Sequence, residues 1–171
     1  ARLGTKPCRC HARPLAQCHV REGAVNDEPQ FGCDSPWTLV EDAIKVSEEA
    51  SAAGPGEAAF VVVTGDYMRH GVDELVPSGS SMEATVPYIE DAFVKITKQI
   101  KKSFGGRRHA AHLNAAALGN DDFSRNYWLD TSASKHPLLE ALAGSWASDL
   151  LELSAAEVSR FRSGGYFELD M

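Results

Sequence analysis

No acidic residue occurs among the first twenty-one positions, and no cysteine occurs after Cys33. Long apolar runs are missing as well. The longest, Ala58 to Val63, has six residues, far below the ~20 that a membrane-crossing helix needs. No transmembrane segment is therefore expected. Basic excess is absent too: 17 Lys and Arg face 24 Asp and Glu, for a formal net charge of −7. A nucleic-acid partner, which calls for a basic stripe to neutralise phosphates, is not expected. The chain opens on neither Met nor a basic-plus-apolar leader, and the expectation is an excised or processed piece of something longer. No Asn-x-Ser/Thr sequon, repeat or low-complexity segment is present.

Residues 1–33 form a cysteine-rich basic arm. Arg2, Lys6, Arg9, Arg13 and Arg21 charge it, and Cys8, Cys10, Cys18 and Cys33 are all its cysteines. An even number of cysteines in a loop-rich stretch reads as a disulfide set and an oxidising compartment. The same cysteines with His11 and His19 could instead ligate a metal, although Cys8-x-Cys10 is tighter than the usual zinc spacing. Free thiols are the third reading. Four cysteines allow three pairings, and nothing in the spacing chooses among them.

Residues 34–171 read as one folded body. Asp34-Ser35-Pro36 supplies a helix start, with Trp37, Val40 and Ile44 along one face and Gly54-Pro55-Gly56 as a stop. The β-branched run Ala59 to Thr64 predicts a strand buried on both faces. Met82 to Phe104 predicts a long helix, because Val86, Ile89, Phe93, Ile96, Ile100 and Phe104 recur at the helical period. A small strand is expected over Leu113 to Leu118, a helix over Pro137 to Leu151, and a last strand over Gly164 to Met171. Strands separated by helices imply parallel pairing through crossovers, so the predicted class is α/β, mostly parallel strands with crossover helices.

Ligands of such folds bind beyond the carboxyl ends of the strands. Two such ends carry a glycine followed by an oxygen-bearing side chain: Gly65-Asp66, and Gly119-Asn120 with Asp121 and Asp122 behind it. Glycine permits a sharp exit from the strand. A carboxylate and an amide oxygen placed there are hard ligands suited to divalent metals.

These residues carry a resemblance. TGDYMRHGVDE (Thr64 to Glu74) is similar to the Gly-Asp block of calcineurin-like metallophosphoesterases, and LGNDD (Leu118 to Asp122) to their Gly-Asn block. FGCDSPWTLVEDAI (Phe31 to Ile44) and RSGGYFEL (Arg162 to Leu169) resemble the acid sphingomyelinase-like and endopolyphosphatase branch. The resemblance implies a layered metallophosphoesterase fold, with residues 34–171 as the central part of the domain. It implies two divalent metals, zinc in this branch, with Asp66 bridging both and Asn120 binding one. A metal-activated water would attack phosphorus, Arg69 and His70 would face the substrate phosphate, and His70 and Asp121 would be the catalytic side chains. The substrate would be a phosphoester, either a phospholipid head group or, in the endopolyphosphatase alternative, polyphosphate. A secreted or lumenal home, lysosomal or vacuolar, would follow.

Two departures matter. The Asp-x-His and Gly-His-x-His blocks of the family do not occur in the chain, so little activity is expected of it by itself, and an inert remnant is the competing reading. Asp121 stands where the family has His or Asn, and a carboxylate there repels phosphate unless a cation neutralises it.

Overall fold

The computed structural model describes residues 35–53, 61–104, 115–124 and 135–168. The cysteine arm lies outside these residues, so the disulfide candidates Cys8, Cys10, Cys18 and Cys33 do too, as do His109, His112 and the Asp34 cap. The chain divides into two compact units, Ala1–Ser47 and Glu48–Met171.

The described residues are mostly helical, which corrects the predicted α/β class. They hold four α-helices: α1 (Trp37–Ala53), α2 (Val86–Phe104), α3 (Pro137–Leu142) and α4 (Ala155–Gly164). Strand is confined to β1 (Val62–Val63) and β2 (Ala115–Ala116), paired in parallel with Val62 opposite Ala115. Two residues a side do not make a layer. Val62 is 51% exposed, so this strand is not buried on both faces as expected. Among the described residues only β2 pairs with it, and of its two residues Val63 alone packs against the core.

α1 starts where Pro36 accepts from the N–H groups of Leu39 and Val40. α2 realises the helical stripe of the sequence. Ile89, Phe93, Ile100 and Phe104 are buried, and Thr97 joins them on the same face. A 3-10 turn, Met82–Thr85, leads into it, with the Thr85 hydroxyl on the Met82 carbonyl at 2.6 Å.

The predicted helix over Pro137 to Leu151 forms in two styles. α3 buries Leu138, Leu139 and Leu142, and a π-helical stretch, Ala143–Ser148, then widens the turn. Leu151 donates to the Trp146 carbonyl at 2.8 Å and Asp149 to the Gly144 carbonyl at 3.1 Å. Widening puts Ala143, Trp146 and Ala147 all inside.

The C-terminal strand expected from Gly164 is absent through residue 168, and α4 occupies the preceding stretch. Ser154 caps it, accepting from the Glu157 N–H at 3.3 Å, and Gly165 closes it in the left-handed region at φ 73°. The Gly-Gly pair is thus a helix stop, not a strand start.

The core is an aromatic chain. Tyr67 stacks on Phe93 with ring centroids 4.0 Å apart, Phe93 meets Trp146 edge-on at 5.0 Å, and Trp146 meets Phe161 at 5.6 Å. The Trp146 indole donates to the Thr97 hydroxyl at 2.9 Å, which satisfies its N–H inside the core. Tyr67 follows Asp66 directly, so this chain of rings anchors the first glycine turn. Phe123 and Val72, both buried, anchor the flanks of the two turns.

Candidate functional site

The short ladder delivers two turns to one place. Beyond Val63, whose carbonyl accepts from the Ala117 N–H at 2.9 Å, Gly65 and Asp66 both take positive φ, 98° and 59°. Left-handed backbone is costly for a residue with a Cβ, so Asp66 is a strained position at the head of the turn. Gly65 and Gly119 are back to back. A Cβ on Gly65 would overlap the Gly119 N and Cα, and a Cβ on Gly119 would overlap the Asp66 N and Oδ1. Glycine is required at both positions by close approach, a reason the sequence reading had not reached.

Asp122 ties the turns together. Its Oδ2 accepts from the N–H of Asp66 at 2.9 Å and from the N–H of Gly119 at 2.7 Å, while its Oδ1 accepts from the Met68 N–H at 3.0 Å. The residue is fully buried. Burial pushes its carboxyl above the ordinary range, opposed by the N–H groups of Gly119, Met68, Asp66 and Tyr67. Sequence reasoning missed this residue. An Asp three positions after a turn glycine, where its oxygen can reach back to a local N–H, was the available signal.

The other site residues gather on this tie. Asp66 is exposed, and its Oδ1 accepts from the Asp121 N–H at 3.3 Å. Asn120, half-buried, lies between Gly119 and Asp121. The Asp121 side chain is 6% exposed, and its Oδ2 lies 3.0 Å from Nε2 of His70. Its Oδ1 is buried and has no hydrogen-bond partner among the described residues. His70, 42% exposed, is therefore the side chain beside the carboxylate that was expected to repel phosphate. Arg69 turns its Nε to the His70 carbonyl at 3.1 Å, which stiffens the loop carrying the imidazole. The structure thus brings Asp66, Asp121 and His70 into one hydrogen-bonded group, with Asn120 and Arg69 adjoining it in the chain.

A buried carboxylate fixes the direction of the imidazole it faces. The oxygen atoms of Asp66, Asn120 and Asp121 suit a hard cation in kind, and the orphaned Asp121 Oδ1 is an acceptor in want of a positive partner. In number they fall short. Among the described residues no group of three or more His, Cys, Asp or Glu is arranged to hold a metal ion. A two-metal centre does not fit these residues by themselves.

Among the described residues no helix is long and apolar enough to cross a membrane. Trp146 is fully buried. No protein-family model matches the chain, and no curated protein matches it.

Proposed function

We propose that the chain carries one corner of a metal-dependent phosphoester hydrolase of the acid sphingomyelinase-like phosphodiesterase type. One observation supports this reading above the others. Two glycine turns more than fifty residues apart are held together by Asp122, so that Asp66, Asp121 and His70 form a single hydrogen-bonded group. In this reading Asp66 and Asn120 are the metal-facing donors. His70, oriented by Asp121, is the group placed to give a proton to the leaving oxygen, a role that suits an imidazole near neutral pH. Arg69 contributes positive charge beside the phosphate. The substrate is a phospholipid head group, or polyphosphate in the endopolyphosphatase alternative, and the compartment is secreted or lumenal.

A second reading, a catalytically inert remnant of such a hydrolase, is favoured by the shortage of metal donors among the described residues. Hydrolysis of bis-p-nitrophenyl phosphate by the purified chain, with and without added Mn²⁺ or Zn²⁺, separates the two. Slow turnover that requires metal and disappears in Asp66→Asn supports the hydrolase. Turnover at the background rate under every metal condition leaves the remnant.

A further inference from the structure

We propose that α1 docks a basic amphipathic helix of a partner protein along the stripe Leu39, Ala43, Val46 and Ala50. None of these residues belongs to the candidate site, and the docking surface stands whether or not that site is catalytic.

α1 differs from the other helices in what it buries. α2, α3 and α4 each place residues in the core, whereas none of the described side chains of α1 is buried. Trp37, Val40 and Ile44, the face read from the sequence, are half-buried. Leu39, Ala43, Val46 and Ala50 are exposed, Val46 at 62% and Leu39 at 38%. Apolar residues scattered singly over a surface need no explanation. These four instead follow one another at intervals of 4, 3 and 4 positions, the spacing of a helix-pairing seam. Helices in proteins owe most of their stability to the packing of such a face, so the stripe gains by being covered. Large and small residues alternate along it, and Ala43 and Ala50 leave room for large apolar side chains from a facing helix.

Charge chooses the occupant. α1 carries Glu41, Asp42, Glu48 and Glu49 against Lys45 alone, a surplus of negative charge that pairing along the helix cannot remove. Asp42 and Glu49, both exposed, each stand one residue before a seam alanine, where paired helices set the charges that select a partner. A second copy running antiparallel would bring these carboxylates together, and one running parallel would set them against Ser47 and Gly54, which carry no charge. An anionic membrane would repel the helix, since helices that lie on such surfaces carry Lys and Arg on their polar face. A helix with apolar residues at the same interval and Lys or Arg beside them satisfies both the stripe and the charge.

The test is fluorescence anisotropy on the full chain with two labelled helical peptides of about three heptads. Both have Leu at the seam positions, one with Lys and the other with Glu at the flanking positions. The chain is expected to bind the Lys peptide and not the Glu peptide. Leu39→Ser with Val46→Ser should weaken binding of the Lys peptide at least about tenfold, because two apolar side chains no longer leave water. Asp42→Lys with Glu49→Lys should abolish binding of the Lys peptide and admit the Glu peptide. Asp73→Lys with Asp91→Lys changes the net charge by the same amount on other elements and should leave the affinity unchanged. All six replaced side chains are exposed, so no variant opens the core.

Binding of neither peptide overturns the proposal. So does an equal loss in the Asp73/Asp91 and Asp42/Glu49 pairs, which would reduce the effect to net charge. Sedimentation equilibrium and flotation with phosphatidylcholine–phosphatidylserine vesicles test the other occupants. A dimer or a vesicle-bound form that Leu39→Ser with Val46→Ser abolishes would assign the stripe to a second copy or to a membrane, and would overturn the basic helix as its partner.

Discussion

Replacing Gly119 by alanine puts the contact between the two turns under direct load. The added Cβ would overlap the Asp66 N and Oδ1, and backbone cannot swing aside as a long side chain can. One turn must retreat from the other. Retreat stretches the Gly119 N–H bond to Asp122, 2.7 Å in the native chain, and the Asp121 N–H bond to Asp66. Overpacking alone costs about 1–3 kcal/mol, and a hydrogen bond to a charged acceptor contributes about 1.5–3 kcal/mol. A loss of about 3–5 kcal/mol is expected, a large share of the roughly 5–15 kcal/mol that holds a domain together. The assay is urea unfolding followed by circular dichroism, where the midpoint should fall by about 2 M with the slope preserved. Gly144→Ala is the matched control. Nothing lies within 4 Å of a Cβ there, so alanine should be neutral or stabilise by up to about 1 kcal/mol through the lower entropy of the unfolded chain. If both variants unfold within about 0.5 kcal/mol of the unmodified chain, the two turns are not in close approach and the reasoning fails.

Further outcomes follow from the core, the cap and the buried carboxyl. Thr97→Val strips the acceptor from the Trp146 indole and should cost about 1–3 kcal/mol in urea unfolding, with Thr97→Ser recovering most of it. An unchanged midpoint in the valine variant would count against a buried indole bond. Ser154→Ala removes the cap of α4 and should cost about 1 kcal/mol, read as a lower thermal midpoint, and no change would mean that the cap contributes nothing. Burial raises the Asp122 carboxyl, so the folded chain keeps that proton to higher pH than the unfolded chain. Its contribution is fully present below the unfolded value of about 4 and is lost as pH rises through the raised folded value. The stability of the unmodified chain relative to Asp122→Asn should therefore decline from pH 4 towards neutrality. A difference that is flat or grows with pH refutes the sign.

Elements whose signal is local were legible. α2 stood out because one apolar stripe ran for five turns at a single period, and the two glycine turns stood out because glycine next to Asp or Asn after an apolar run has few other uses. α4 was legible too but was passed over. Ser154 and Glu157 make a capping pair at the spacing that starts a helix, yet the alternation in Tyr166-Phe167-Glu168 drew the stretch into a strand. Alternation needs a partner strand to become structure, and among the described residues none lies there. The valine run misled for a related reason, because β propensity reports fit to a half-buried surface rather than the presence of one. Asp122 and the His70–Asp121 pair are different in kind. His70 and Asp121 were each singled out, but their bond joins segments far apart in the chain. The Asp122 tie likewise needs both turns to be in place before its three donors converge. No periodicity encodes such contacts.

In the proposed function these turns form a cation-binding corner through Asp66. Calorimetric titration of Mn²⁺ into the full chain and into Asp66→Asn tests it most directly. A single Mn²⁺ bound per unmodified chain is expected, with binding abolished or weakened at least tenfold in the variant. Equal binding by both proteins, or binding by neither, would contradict it.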